Sequence, residues 1–235
     1  EESDTNTMLE AIRTYDSLLE DGEDVKILDI WKSKNHPNDV EFIDCDIRDR
    51  DGVRSAMKDI DIVHNNVALV PLTKSGKLFW DVNVNGSKIA AEEAVKSGVS
   101  AFIHMSSSAI YGDVSSFPID TNTPSKPVEI YGRAKLAGEN AVIETLDKTE
   151  IFTIIVRPRT ILGEGRLGIF QILFDWIKDG KNVYVIGSGN VKFQFIHAYD
   201  LMSAYMLIYK AKGSGKFNIG TDSFGILRGA IENVI

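Results

Sequence analysis

Cysteine is almost absent. Cys45 stands alone in 235 residues, so no intrachain disulfide can form, and the chain suits a reducing, cytoplasmic compartment. Histidine is scarce as well. His36, His64, His104 and His197 are scattered with no pair at metal-ligand spacing, which gives no reason to expect a metal. No stretch is strongly basic. Lys+Arg number 26 against 34 Asp+Glu, a formal net charge of −8, so neither nucleic acid nor an anionic membrane is an expected partner. Long apolar runs are missing too. "IFTIIV" (151–156) is strand-sized and too short to span a bilayer, and no basic-then-apolar signal opens the chain. What is present, 43% hydrophobic and 26% charged residues, is the balance of a globular protein with a sizeable core.

Short β-rich runs alternate with longer amphipathic ones. "VKILDI" (25–30), "VEFI" (40–43), "IDIV" (60–63), "AFIHM" (101–105), "IFTIIV" and "VYVI" (183–186) predict strands. Several are apolar at consecutive positions, as strands covered on both faces must be. Met8, Ile12, Tyr15 and Leu19 recur at helical spacing, as do Trp80, Val84, Ala91 and Val95, with Gly98 as the stop. Residues 127–147, rich in Ala, Leu, Glu and Lys, predict another helix. This rhythm specifies an α/β fold, a parallel sheet with helices on both sides. From about residue 160 the pattern loosens around several glycines, as in the rim of a binding pocket. The expected division is 1–160, a dinucleotide-binding unit, and 161–235, a partial substrate region interleaved with it.

Open α/β sheets bind ligands at the carboxyl ends of their strands. Asp29, ending "ILDI", can accept both hydroxyls of an adenosine ribose, which favours NAD; Lys32 and Lys34 keep NADP open. A solvated acid at a strand end is the plainer account of Asp29 taken alone. Asp46 and Ile47 follow the next strand and can flank an adenine. In "VHNNVALVP" (63–71), Asn66, Val67 and Ala68 would let a cofactor approach the backbone, although asparagines there also serve turns. "HMSSSAIYG" (104–112) puts three hydroxyls at a strand end, either for a substrate oxygen or as helix caps. In "IYGRAKLAGE" (130–139), Tyr131 and Lys135 lie one helical turn apart. A free tyrosine, with a pKa of about 10, is a poor base at neutral pH. A nearby ammonium stabilises the phenolate. Tyr131, Lys135 and a serine from 106–108 form a minimum set for moving a proton on or off a hydroxyl.

The order of Asp29, "CDIRD", "VHNNVALVP", "VNVNG", "SSSAIYG", "YGRAK", "IVRPRTILG", "FIHAYDL" and "FNIG" resembles the extended short-chain dehydrogenase/reductases. Within them it resembles the NAD-dependent epimerase/dehydratases that act on nucleotide sugars. The resemblance covers essentially the whole chain. It implies a Rossmann-type doubly wound parallel sheet and an enzyme that uses NAD on a nucleotide-sugar substrate and forms a homodimer through helices 76–97 and 127–147. Tyr131 then matches the catalytic base/acid and Lys135 the lysine that holds the nicotinamide ribose. Counting four residues back from Tyr111 selects Ser107 as catalytic; members with one residue more select Ser108. Asn83 matches a structural asparagine near the cofactor. Arg157 and Pro158 match the strand closing over the nicotinamide, and Arg159 and Thr160 begin the substrate pocket. Arg166 and Lys192 are candidates for substrate phosphates. The absence of an Asp–Glu pair near the serines favours epimerase or dehydrogenase chemistry over dehydration. A sterol or small-carbonyl dehydrogenase is the rival enzyme, and a non-catalytic binding protein or scaffold the rival class.

Two departures from the family pattern stand out. Its opening strand and Gly-x-x-Gly-x-x-Gly turn are not found: the glycine positions fall near Thr5, Met8 and Ala11, and Gly22 is the first glycine in the chain. At the far end the sequence stops early in the substrate lobe. Truncation rather than divergence is the expectation for both, because the chemical residues between are intact. A sheet without its central first strand is expected to leave neighbouring edges unpaired, so that the isolated chain is poorly stable or fills the gap by oligomerisation or by refolding of its N-terminus.

Overall fold

The computed structural model describes residues 14, 16–32, 40–70, 76–163, 170–185 and 187–232. Four strands form its central parallel sheet: β3 (Ile62–Asn65), β4 (Ala101–Met105), β5 (Phe152–Pro158) and β9 (Gly215–Ile219), paired in that order. Residues Phe102–Met105 of β4 and Ile154–Pro158 of β5 are all buried because successive side chains enter opposite layers. Phe102 and Ile155 join Ala90, Ala91, Ala94, Val142 and Leu146 of helices α3 (Ser87–Ser97) and α4 (Ile130–Leu146) on one face. Ile103, Ile154 and Val156 meet Leu201, Met202 and Tyr205 of α6 (Ala198–Lys210) on the other. The Rossmann-like layering expected from the sequence is thus observed.

A separate parallel pair, β1 (Lys26–Asp29) and β2 (Glu41–Asp44), lies beside the central sheet, followed by α1 (Arg50–Ala56). β1 is not hydrogen-bonded to β3. Instead, residues of both strands line one cavity of about 670 Å³, with Thr14, Leu18 and Tyr209 also on its wall. This is where the sequence places the unpaired edges. The positions expected to carry the glycine-rich turn, Thr5, Met8 and Ala11, lie outside the described residues.

Helix α2 (Lys77–Trp80) runs into α3 through a π-helical segment, Asp81–Gly86, and α3 ends at Gly98 in the left-handed conformation (φ 71°), as its stop signal predicts. The apolar periodicity conceals the π segment, since one extra residue in a turn leaves it nearly intact. The sequence misplaces "IDIV": the strand runs two residues later, Ile62–Asn65. It also predicts a strand at 183–186, whereas 183–185 have no regular structure and Tyr184 is 80% exposed; among the described residues no strand edge pairs with this run. Helices α5 (Phe170–Lys178) and α6 are additions to the elements expected from sequence, although Leu201, Met202, Tyr205 and Met206 have the spacing of a buried helical face. Short strands β6 (Thr160–Leu162) and β8 (Phe195–His197) pair in parallel; β7 (Lys192–Phe193) pairs antiparallel with β10 (Gly225–Ile226), which leads into α7 (Leu227–Glu232). Among the described residues no helix is long and apolar enough to cross a membrane.

Candidate active site

Asn66, the three serines and Arg159 lie at the carboxyl ends of β3, β4 and β5, whereas Asp29, Asp46 and Ile47 lie at the ends of β1 and β2. Ser106 follows β4. Its Oγ donates to Glu139 Oε2 at 2.7 Å in a buried contact, so this serine belongs to the scaffold. Ser107 caps a 3₁₀ turn over Ser108–Tyr111, and its Oγ accepts the Ala109 N–H at 3.2 Å. A lone pair is engaged there, which leaves the hydroxyl proton for another acceptor. Ser108 Oγ accepts from Arg159 Nη1 at 3.3 Å.

Helix α4 packs directly on this turn. A Cβ on Gly132 would lie 2.4 Å from the Ala109 carbonyl oxygen, and one on Gly138 would lie 2.3 Å from the Asn83 carbonyl oxygen. Only glycine permits both approaches. The first brings the backbone of α4 onto the serine turn at Gly132; Tyr131, next to it, has its ring centroid 6.4 Å from that of buried Phe79. One turn on, Lys135 is buried, and its Nζ donates to the Met105 carbonyl at 2.6 Å. The lysine ammonium is thereby anchored at the end of β4, beneath the serines.

Sequence reasoning misses a third residue on this helical face, Glu139. It is fully buried, accepts from Arg157 Nε at 3.0 Å and forms a close ion pair with Arg157 Nη2. Arg157 Nη1 donates to the Tyr111 hydroxyl at 2.7 Å, and that hydroxyl donates to Asn218 Oδ1 at 2.7 Å. The signal lies in the register: Tyr131, Lys135 and Glu139 recur every four residues on one helical face. Arg157, expected near the nicotinamide, therefore has its guanidinium committed to this buried network, beside buried Pro158.

The predicted cofactor residues divide into two groups. Asp29 borders the cavity and accepts from the Ile30 and Trp31 N–H groups at 2.7 and 3.3 Å. Ile47, Asn66 and Val67 also line the cavity, and Ala68 follows them. Asn66 Nδ2 donates to Thr14 Oγ1 at 3.1 Å, while Oδ1 of both Asn65 and Asn66 is buried without a hydrogen-bond partner among the described residues. Asp46 and Asn83 have internal partners. Arg48 holds the Asp46 carboxyl below its usual range through side-chain hydrogen bonds. Asn83 Nδ2 donates to the carbonyls of Phe79 and Leu69 at 2.9 and 3.1 Å, tying the loop after β3 to the π segment. Of the predicted substrate residues, Thr160 opens β6 beside Arg159, and Lys192 lies 4.8 Å over the Phe224 ring. Arg166 lies outside the described residues.

Two histidines make the fold sensitive to acid. Burial, then the Lys135 charge, holds fully buried His104 well below the ordinary value. Burial lowers His64 to about 4, and its Nδ1 is 2.6 Å from the Tyr205 hydroxyl. The unfolded chain takes up protons near pH 6.5 that the fold refuses, so stability is full above that value and falls as pH drops. Each histidine contributes at most about 1.4 kcal/mol per pH unit; His64, which borders the cavity, contributes the smaller share. Between pH 7 and 5 a loss of about 2–4 kcal/mol is expected in urea melts. A flat profile over that interval would contradict it.

Comparison with known proteins places these residues in a family context. The model of the NAD dependent epimerase/dehydratase family matches residues 13–220. An uncharacterized protein, y4nG, of Sinorhizobium fredii (strain NBRC 101917 / NGR234) is 44% identical over 219 residues, 93% of this chain and 55% of that protein. The sterol-4-alpha-carboxylate 3-dehydrogenase, decarboxylating, of Mus musculus is 28% identical over 217 residues, 88% of this chain and 60% of that protein. The chain thus spans 55 and 60% of the length of these two relatives. The solved structure of MoeE5 in complex with UDP-glucuronic acid and NAD superposes with a TM-score of 0.85 at 23% identity, covering 96% of this chain and 77% of that one. It is similar in fold.

Proposed function

The chain belongs to the NAD-dependent epimerase/dehydratase family, and from that premise we propose that it oxidises and re-reduces a hydroxyl-bearing carbon of a nucleotide sugar, with Ser107, Tyr131 and Lys135 handling the proton. The observation that carries this reading is Lys135: a buried ammonium fixed at the carbonyl of Met105, the residue before the three serines, and one helical turn from Tyr131. A cation so placed favours the phenolate of Tyr131, which can then take the proton from a substrate hydroxyl. Ser107 donates its remaining proton to the same substrate oxygen and orients it. An epimerisation is complete when the keto carbon has been re-reduced on its opposite face and Tyr131 has returned the proton to its oxygen; the serine segment 106–112 holds no Asp–Glu pair to drive elimination.

The described residues suit NAD. Cavity-facing Asp29 and the orphaned Oδ1 atoms of Asn65 and Asn66 are acceptors, and the dinucleotide offers ribose hydroxyl and amide donors. Asp29 would hold the adenosine ribose, Ile47 and the 66–68 loop the adenine side, and Lys135 the nicotinamide ribose. When bound, NAD supplies the hydride acceptor. A carboxylated sterol is the second reading, favoured by the mouse relative and by the few cations the sequence offers for a diphosphate, Arg159, Arg166 and Lys192.

Calorimetric titration with NAD, followed by incubation with a panel of UDP-hexoses and UDP-hexuronates, tests the reading. Saturable NAD binding and formation of a stereoisomer without net NADH are expected. Failure to bind NAD overturns it, and net NADH with sterol carboxylates alone transfers the assignment to the second reading.

A further inference from the structure

Most described arginines outside the site are either paired with acids or lie in solvent. Arg48 pairs with Asp46, Arg50 and Arg54 with Glu93, and Arg157 with Glu139. Arg133 and Arg228 bond backbone carbonyls at exposed positions. Arg159 differs. It is half-buried, and among the described residues no carboxylate pairs with it. Burial accordingly pulls its pKa below the ordinary value, with no neighbouring acid offsetting the effect. Leaving a cation partly desolvated without a counter-charge is unfavourable.

Its position is fixed. The Arg159 N–H donates to the Ile219 carbonyl at 2.9 Å, which sets the residue at the shared carboxyl end of β5 and β9. A Cβ on Gly220 would lie 3.2 Å from Arg159 Cγ, so the stem rests on that glycine. Nη1 reaches Ser108 Oγ at 3.3 Å, one residue from Ser107. The guanidinium fork therefore stands beside the serine assigned to the reacting hydroxyl, with further N–H donors beyond the one given to Ser108.

We propose that Arg159 recognises a carboxylate carried by the substrate next to its reacting hydroxyl, making the preferred substrate a nucleotide uronate rather than a neutral hexose. This rests on the nucleotide-sugar reading above. The planar fork matches a carboxylate in two parallel hydrogen bonds. In a hexuronate the carboxylate is attached to the ring carbon adjacent to the one bearing the 4-hydroxyl. The diphosphate, joined at the anomeric carbon, lies across the ring and would need a different cation. A neutral hydroxymethyl group can accept a hydrogen bond but leaves the desolvated charge uncompensated.

The test is calorimetric binding of UDP-glucuronate and UDP-glucose, with NAD present, to the full chain and to its Arg159→Leu and Arg159→Lys variants. The unaltered chain is expected to prefer UDP-glucuronate by roughly 10- to 100-fold, the range of a charge-assisted pair. Arg159→Leu should abolish that preference while changing UDP-glucose affinity far less. Arg159→Lys, which keeps the charge and loses the fork, should retain part of it, and it decides the matter should the leucine variant fail to fold. Equal affinities in the unaltered chain, or a preference that survives both substitutions, overturn the assignment of Arg159 and leave the nucleotide-sugar reading in place. Binding of neither sugar overturns both.

Discussion

Tyr131→Phe is expected to lower NAD-dependent turnover by roughly 100- to 10,000-fold, the range that a positioned general acid–base group contributes, and to change NAD affinity far less. The substitution removes one oxygen and keeps the ring, so packing against Phe79 at 6.4 Å between centroids is retained. It also leaves Gly132 and its close approach to the Ala109 carbonyl unchanged, so the serine turn stays where it is. Lys135 remains at the Met105 carbonyl with its charge intact, but no phenol is left for that charge to act on. Affinity and rate should therefore separate: calorimetry with NAD reports little change while steady-state turnover collapses. Equal losses in both would mean that Tyr131 serves the cofactor site or the fold, and the proton-transfer assignment would fail. Lys135→Met should behave differently, reducing both quantities, because it removes a group assigned to the nicotinamide ribose and leaves the Met105 carbonyl without its buried donor.

The layers of the fold were legible because both periods were clean. Consecutive apolar residues in β4 and β5 could only belong to strands covered on both sides, and the faces taken by Phe102 and Ile103 follow from alternation alone. The site was legible wherever chemistry and position coincided, as with Tyr131 and Lys135 on one helical face beside a serine-rich strand end. It was not legible where a residue's role depends on which neighbour captures it. Three adjacent serines look equivalent in sequence; the structure gives Ser106 to Glu139, Ser107 to a backbone N–H and Ser108 to Arg159. Arg157 and Arg159 are two residues apart on an extended segment, and nothing in their local sequence distinguishes their partners. The first is consumed by a buried carboxylate, the second is not. Helix α6 carries a readable signal, Leu201, Met202, Tyr205 and Met206 at helical spacing with no glycine between 190 and 212, which the glycines further out obscure when the whole stretch beyond residue 160 is taken as loop.

The largest effect on stability is expected at Glu139. Glu139→Ala should cost about 3–5 kcal/mol, the usual penalty for leaving one member of a buried ion pair uncompensated. Arg157 is 3% exposed and cannot reach water to recover its hydration. The same carboxylate also accepts from Ser106, so the loss leaves a second buried donor unsatisfied. Combining Glu139→Leu with Arg157→Met replaces the charges by apolar volume and should restore at least half of that stability, since an ion pair removed whole is far less damaging than one broken. Urea unfolding of the single and double variants separates the cases. A single-variant loss below about 1 kcal/mol, or a double variant worse than the sum of its parts, would show that the pair is not the element under strain. The restored double variant carries a second consequence. Arg157 also donates to the Tyr111 hydroxyl, which in turn bonds Asn218 on β9. Ser106 and Tyr111 flank the turn that holds Ser107 and Ser108. A chain that regains its melting transition but lacks these bonds should position Ser107 poorly, so its turnover should fall while its fold persists. Recovery of both together would assign the network to stability alone.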